Sequence, residues 1–141
     1  MTLVDSNILV DVISKDPRWL SWSVEQLDRC AAIGPLYYDE IVYAELAVKI
    51  ESEAVLDEAL QIVGAEFSPI PKSALFLAGK VFERYRTSGG RRASNLPDFF
   101  IGAHAQVTGL PLLTRDVARY RTYFPRVKLI APDLTAQTAC T

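Results

Sequence analysis

Four acids stand where carboxylates could do chemistry. Asp5 closes the apolar run "TLV", Glu45 interrupts "DEIVYAELAVKI", Asp98 sits in "NLPD" and Asp116 follows "LLTR". Each has a structural explanation when taken alone. Asp5 precedes a helix start, Asp116 falls in the first turn of another helix, and Asp98 lies three residues after Asn95, the spacing of a capping box. On a helix over 39–50, Glu45 shares a face with Tyr38, Ile41, Val42, Val48 and Lys49, and Lys49 is placed for an i,i+4 pair. A glutamate buried in such a stripe needs a cation, a proton or water from a cleft.

Four acids on four separate elements are better explained together. Carboxylate oxygens are the ligands that hard divalent ions select, and Mg²⁺ keeps several waters beside one or two of them. Carboxylates clustered without a cation repel one another and raise their own pKa values. A bound Mg²⁺ or Mn²⁺ would remove that conflict, activate water and stabilise charge developing on a phosphate. The chemistry that suits this set is metal-dependent phosphodiester hydrolysis.

The elements that must position the acids follow from periodicity and punctuation. "TLV" (2–4), 34–38, 110–114 and 127–131 read as strands, with 67–71 a short extended piece. Helices are expected over 7–14, 18–31, 39–50, 52–64, 72–87, 98–109 and 115–124. Strands alternating with helices imply a parallel sheet covered on both faces, an α/β fold in one domain over 1–141, with 131–141 as a tail. In such a sheet ligands collect outside the carboxyl ends of the strands, where Asp5 and Asp116 fall. Asp11 lies mid-helix and reads as part of a solvated face. His104, the single histidine, lies six residues beyond Asp98 beside apolar Ile101 and reads as structural.

Composition bounds the setting. The chain has 141 residues, half of them hydrophobic and 23% charged, as expected of a soluble globular protein. No apolar run reaches the length of a membrane span, and no signal peptide is read at the N-terminus. Cys30 and Cys140 have no metal-like spacing, so a reducing cytoplasm is expected. The net charge of −2 hides a division: residues 1–66 carry 13 acids and 4 bases, residues 67–141 carry 4 acids and 11 bases. Segregation of that size suggests a polyanionic or charged protein partner.

"LVDSNILVD", the "AEL" around Glu45, and "LPDFFIGAHAQVTGLPLLTRD" with the "Y…F" that follows resemble the PIN-domain family, and within it the VapC-type ribonuclease toxins of toxin–antitoxin pairs. The resemblance runs from about residue 2 to residue 131. It implies a three-layer α/β/α fold around a parallel sheet of four to five short strands. It also implies Mg²⁺- or Mn²⁺-dependent endoribonuclease activity, a cognate antitoxin and a homodimer. Residue by residue, Asp5, Glu45, Asp98 and Asp116 match the family's acids, with Asp5, Asp98 and Asp116 as metal ligands and Glu45 completing the site or orienting the water. Thr114 matches a hydroxyl near the metal, and Asn7 matches the "D-x-N" that holds the first turn. Ser6 stands where Thr is more usual and keeps the hydroxyl.

On the substrate side, Arg84, Arg86, Arg91 and Arg92 bracket a glycine loop before Asp98, and Arg115, Arg119 and Arg121 follow Thr114. Arginines of this kind supply sequence-independent affinity for phosphates. Tyr85, Tyr120 and Tyr123 read either as core or as platforms for unpaired bases. The main rival is a non-catalytic module of the same fold that binds RNA or protein through its charged half. A phosphatase of the haloacid type would need "D-x-D" where this chain has "DSN", and a receiver lacks its later strand-end lysine.

Overall fold

Apolar runs of two or three residues form strands here because both sides of each central strand are paired. β1 (Thr2–Val4), fully buried, lies parallel between β2 (Leu36–Tyr38) and β4 (Leu112–Leu113). β3 (Ala65–Phe67) and β5 (Leu129–Ile130) complete a parallel sheet in the order β3-β2-β1-β4-β5. The structure, a computed structural model, describes residues 1–89 and 96–132. Arg91, Arg92, the Asn95 cap, Cys140 and most of the expected tail lie outside the described residues.

Among the described residues seven helices surround the sheet: α1 (Ser6–Ile13), α2 (Leu20–Ile33), α3 (Glu40–Ala47), α4 (Glu53–Val63), α5 (Lys72–Thr87), α6 (Leu96–Thr108) and α7 (Val117–Arg121). The result is the expected three-layer α/β/α architecture. α6 packs on α5 and α3, while α1 packs on α2 and α3. α6 is buried on nearly every side, which its small residues allow. A Cβ built on Gly102 would stand 2.4 Å from the ring of Phe124, so glycine lets this ring, three residues beyond α7, press onto the α6 backbone. No helix among the described residues is long and apolar enough to cross a membrane.

Three local expectations change, each for a stated reason. The extended piece expected at 67–71 begins earlier. Gly64 caps α4 in the left-handed region (φ 85°) and turns the chain at once, so Ala65 already pairs with Leu36. Pro69 and Pro71, without N–H groups, cannot prolong the ladder. α3 stops at Ala47, two residues before Lys49, so the i,i+4 pair with Glu45 does not form. The buried face of α3 is Val42 and Leu46, and Val48 is 85% exposed; Glu45 lies at the margin of that face rather than inside a continuous stripe. α7 is shorter than 115–124 because the Asp116 N–H is taken by the Thr114 hydroxyl, which holds the start of the segment outside the helix.

Candidate active site

The carboxyl ends of β1 and β4 lie side by side, tied by the Asp5 N–H donating to the Leu113 carbonyl at 2.9 Å. From that junction the chain continues as Asp5 on one side and Thr114 on the other. Asp5 caps α1, its Oδ1 accepting the Ser6 N–H at 2.7 Å. Its Oδ2 accepts the Thr114 hydroxyl at 2.8 Å and the Tyr120 hydroxyl at 2.9 Å. Burial pushes the Asp5 pKa up, against these hydrogen bonds and the charge of Arg119, which pull it down. Capping and site membership are therefore one geometry, since the cap holds the carboxylate at the sheet's end.

Thr114 is the connecting atom of the site. Fully buried, it donates to Asp5 and accepts from the Asp116 N–H at 3.0 Å and from Asn7 Nδ2 at 3.3 Å, which uses one donor and two acceptor positions of a hydroxyl. Asn7 also accepts the Arg115 N–H through Oδ1, at 3.2 Å. Ser6 reaches across to α3 and donates to Glu45 Oε1 at 2.8 Å. Burial raises the Glu45 pKa; the Ser6 hydrogen bond lowers it and the charge of Asp5 raises it.

Asp98, in the first turn of α6, is 5% exposed. Its pKa is pushed up to about 6, first by burial and further by Asp5 and Glu45, against the opposing charge of Arg119. Arg119 on α7 bridges two of the acids. Its Nη1 stands 3.2 Å from both Asp98 oxygens, and its Nε stands 2.6 Å from Asp116 Oδ2. Burial works against the Arg119 charge, but Asp98 and Asp116 outweigh it and its pKa is raised. A small cleft of about 110 Å³ opens here, lined by Asp98, Phe99, Ala118, Arg119, Thr122 and Tyr123.

All four expected acids thus reach one end of the sheet, linked through Ser6, Thr114 and Arg119. Their donor chemistry suits a hard divalent cation, and burial raises the pKa values of Asp5, Glu45 and Asp98, with neighbouring acids adding to the rise at Glu45 and Asp98. Yet among the described residues no three His, Cys, Asp or Glu side chains gather closely enough to hold a metal ion. A guanidinium, that of Arg119, stands between Asp98 and Asp116.

Several expectations for neighbouring residues are corrected. Asp11 does not lie on a solvated face: it is 1% exposed and accepts the Ser23 hydroxyl at 2.8 Å. Arg115, expected to face RNA, makes a two-pronged pair with Asp11 at 2.7 and 2.9 Å and lies 4.8 Å over the Trp19 ring. Tyr120 is no stacking platform, being fully buried with its hydroxyl on Asp5. Tyr85 and Tyr123 pack around Phe99 with ring centres 5.4 and 5.5 Å from it. His104 is structural as expected, buried with Nδ1 2.9 Å from Asp39 Oδ2. Arg84 and Arg86 are exposed in the last turn of α5, where Arg86 borders a groove of about 460 Å³ with Phe82 and Thr87.

Two members of the site escaped sequence reasoning as such. The i,i+3 spacing of Asp116 and Arg119 was a signal for one of them. Nothing local marked Tyr120, whose partner lies 115 residues away.

No curated protein matches the chain by sequence. Among solved structures it is similar to VapBC2 from Rickettsia felis bound to a DNA fragment from their promoter, with a TM-score of 0.72 at 21% identity, covering 94% of this chain and 98% of that one. VapBC-1 from nontypeable Haemophilus influenzae matches with a TM-score of 0.68 at 15% identity, covering 99% and 98%. A toxin–antitoxin complex from Klebsiella pneumoniae matches with 0.62 at 25% identity, covering 90% and 95%. These likenesses agree with the fold, and the sequence profile described as PIN domain matches residues 2–125, the stretch that carries all four acids. A match over that span places the chain in the PIN domain family.

Proposed function

We propose that the chain is a VapC-type toxin, a Mg²⁺- or Mn²⁺-dependent endoribonuclease held in check by a cognate antitoxin. The observation that carries this reading is the convergence of Asp5, Glu45, Asp98 and Asp116 from four elements at the carboxyl ends of β1 and β4, with Thr114 and Ser6 linking them. Metal dependence is supported by the donor chemistry and by the raised pKa values, which mark a cluster that a divalent cation would relieve.

In this reading Asp5, Asp98 and Asp116 hold the ion, which when bound supplies charge stabilisation and activation of water. The chain's own residues do the rest. Thr114 and Tyr120 fix the rotamer of Asp5, so its oxygens keep their aim. Glu45, with its raised pKa and its hydrogen bond to Ser6, is suited to orient the attacking water and accept its proton. Buried Thr114 and Tyr120 close the floor of the site against bulk water. Among the described arginines, exposed Arg84, Arg86 and Arg121 can meet phosphates along a single strand, while Arg115 is committed to Asp11.

The antitoxin and a second copy are the protein partners of this reading, supported by the toxin–antitoxin complexes among the structural neighbours. Ile33, Val48, Ile62 and Phe76 leave at least 70% of their surface uncovered, which is apolar area suited to such contacts. The rival of a non-catalytic binding module is favoured by one observation, the absence of a closed metal-holding group among the described residues. Cleavage of single-stranded RNA in Mg²⁺ separates the two. The wild-type chain should cut, and Asp5→Asn and Asp98→Asn should each lose on the order of 10²-fold or more. Full activity in both variants would remove the site assignment, and an inactive wild type would favour the binding module.

A further inference from the structure

Asp98 and Asp116 come from different elements, and what joins them is one side chain, Arg119. Its Nε stands 2.6 Å from Asp116 Oδ2 as an ion pair, and its Nη1 lies 3.2 Å from each oxygen of Asp98. Asp98 and Asp116 are two of the three acids assigned above to a divalent ion. A guanidinium carries only N–H donors and a fixed positive charge, so it competes for those oxygens with a second cation and repels it. We infer that Arg119 is the resident counter-cation of this cluster and is exchanged for the divalent ion when that ion binds. The inference rests on the metal-dependent reading above.

The local build of α7 favours such an exchange. The Arg119 side chain is 52% exposed, so it can swing into water without crossing protein. The next residue, Tyr120, is fully buried and bonded to Asp5, which holds the helix in place while Arg119 changes rotamer. The arginine four positions earlier shows the opposite construction. Arg115 is 26% exposed, grips both oxygens of one buried acid and lies against Trp19. Only one of the two arginines is therefore arranged to leave. The same arrangement accounts for the open spacing of the carboxylates, because a planar guanidinium spanning two acids holds them farther apart than a single ion would.

Calorimetric titration with Mn²⁺ of the full chain and of Arg119→Gln tests the exchange. Removal of the competing cation should tighten Mn²⁺ binding by roughly fivefold to tenfold, the scale of a partly exposed ion pair. Mn²⁺ should also raise the melting temperature of the variant by more than that of the wild type. Arg119→Lys, which keeps the charge but cannot span both acids, should fall between them, and it answers the same question if Arg119→Gln does not fold. Wild type binding Mn²⁺ with the variants equal or weaker would overturn the inference and leave the metal reading standing. Binding by none of the chains would overturn the metal reading and the inference with it. A silent wild type beside a binding Arg119→Gln would overturn the exchange, since Arg119 would then exclude the ion instead of giving way to it.

Discussion

Arg115 and Arg119 leave the same short segment four residues apart, and each meets carboxylates, yet the two sites are built on different principles. Around Arg115 the charges are matched one to one. Both oxygens of Asp11 face the guanidinium, Ser23 adds a third hydrogen bond, and Trp19 covers the flat face. Around Arg119 one cation is divided between Asp98 and Asp116, and Asp98 still titrates near 6. The first site ties α1 and α2 to the segment after β4 and has nothing left to bind. The second has more negative charge than its cation neutralises, and that surplus is what a catalytic cluster requires. Burial alone therefore does not separate the two groups of acids; the excess of charge over partners does.

The sharpest way to break this comparison is to remove each arginine in turn. Arg115→Met should lower stability by about 3 kcal/mol, because it leaves Asp11 buried without its counter-charge. Arg119→Met should cost no more than about 1 kcal/mol in the same urea titration, since half of the side chain is already in water and its charge is screened. Equal losses would mean that the two sites are alike in kind and that Arg119 is structural.

The contrast between these arginines also marks where sequence reading stopped. Asp5, Asp98 and Asp116 were legible because each stands at a strand end or a helix start, places that follow from periodicity and capping rules, and Glu45 was legible as an acid within a largely apolar helix. The order of strands and helices was legible for the same reason. The partners of the arginines were not, since the Asp11–Arg115 contact spans 104 residues and depends on which face of α1 meets the segment after β4. Asp11 looked solvated because an acid in mid-helix usually is, and only tertiary packing supplied Arg115 and Ser23. Likewise Glu45 looked as if it stood within an apolar stripe because the helix was drawn to residue 50. Its true end at Ala47 removes Val48 and Lys49 from that face.

The surplus charge at the second site should be visible as a pH dependence. Asp98 titrates at about 6 in the folded chain and near its ordinary 3.8 when unfolded, so the unfolded chain gives up the proton first. The stability associated with its neutral form is complete below about pH 4 and is lost as pH rises through about 6. The separation corresponds to of order 2–3 kcal/mol across that window without added metal. Asp5 and Glu45, also raised, add to the fall in the same direction. Melting curves between pH 4 and 7 should show it, and Asp98→Asn should flatten the Asp98 share. A wild-type curve that rises over this interval would contradict the charge surplus.

The smallest effect expected comes from the contact that sets the distance between the two halves of the second site. Phe124, just beyond α7, presses on α6 at Gly102, one turn after Asp98, so the glycine fixes how near Arg119 comes to that acid. Gly102→Ala would bring a Cβ within 2.4 Å of the ring, well inside van der Waals contact. Overpacking of this kind costs about 1–3 kcal/mol, and the gain in helix propensity returns about 1, leaving a net loss of about 1 kcal/mol. Because Phe124 is the atom group that must give way, Phe124→Leu in the same chain should recover part of that loss, a coupling that independent sites would not show. The Arg115 pair, which does not touch Gly102, should keep its contribution unchanged in both variants. If Gly102→Ala instead proves neutral with Phe124 intact, α6 can slide without resistance, and the spacing of Asp98 from Arg119 is set elsewhere than at this contact.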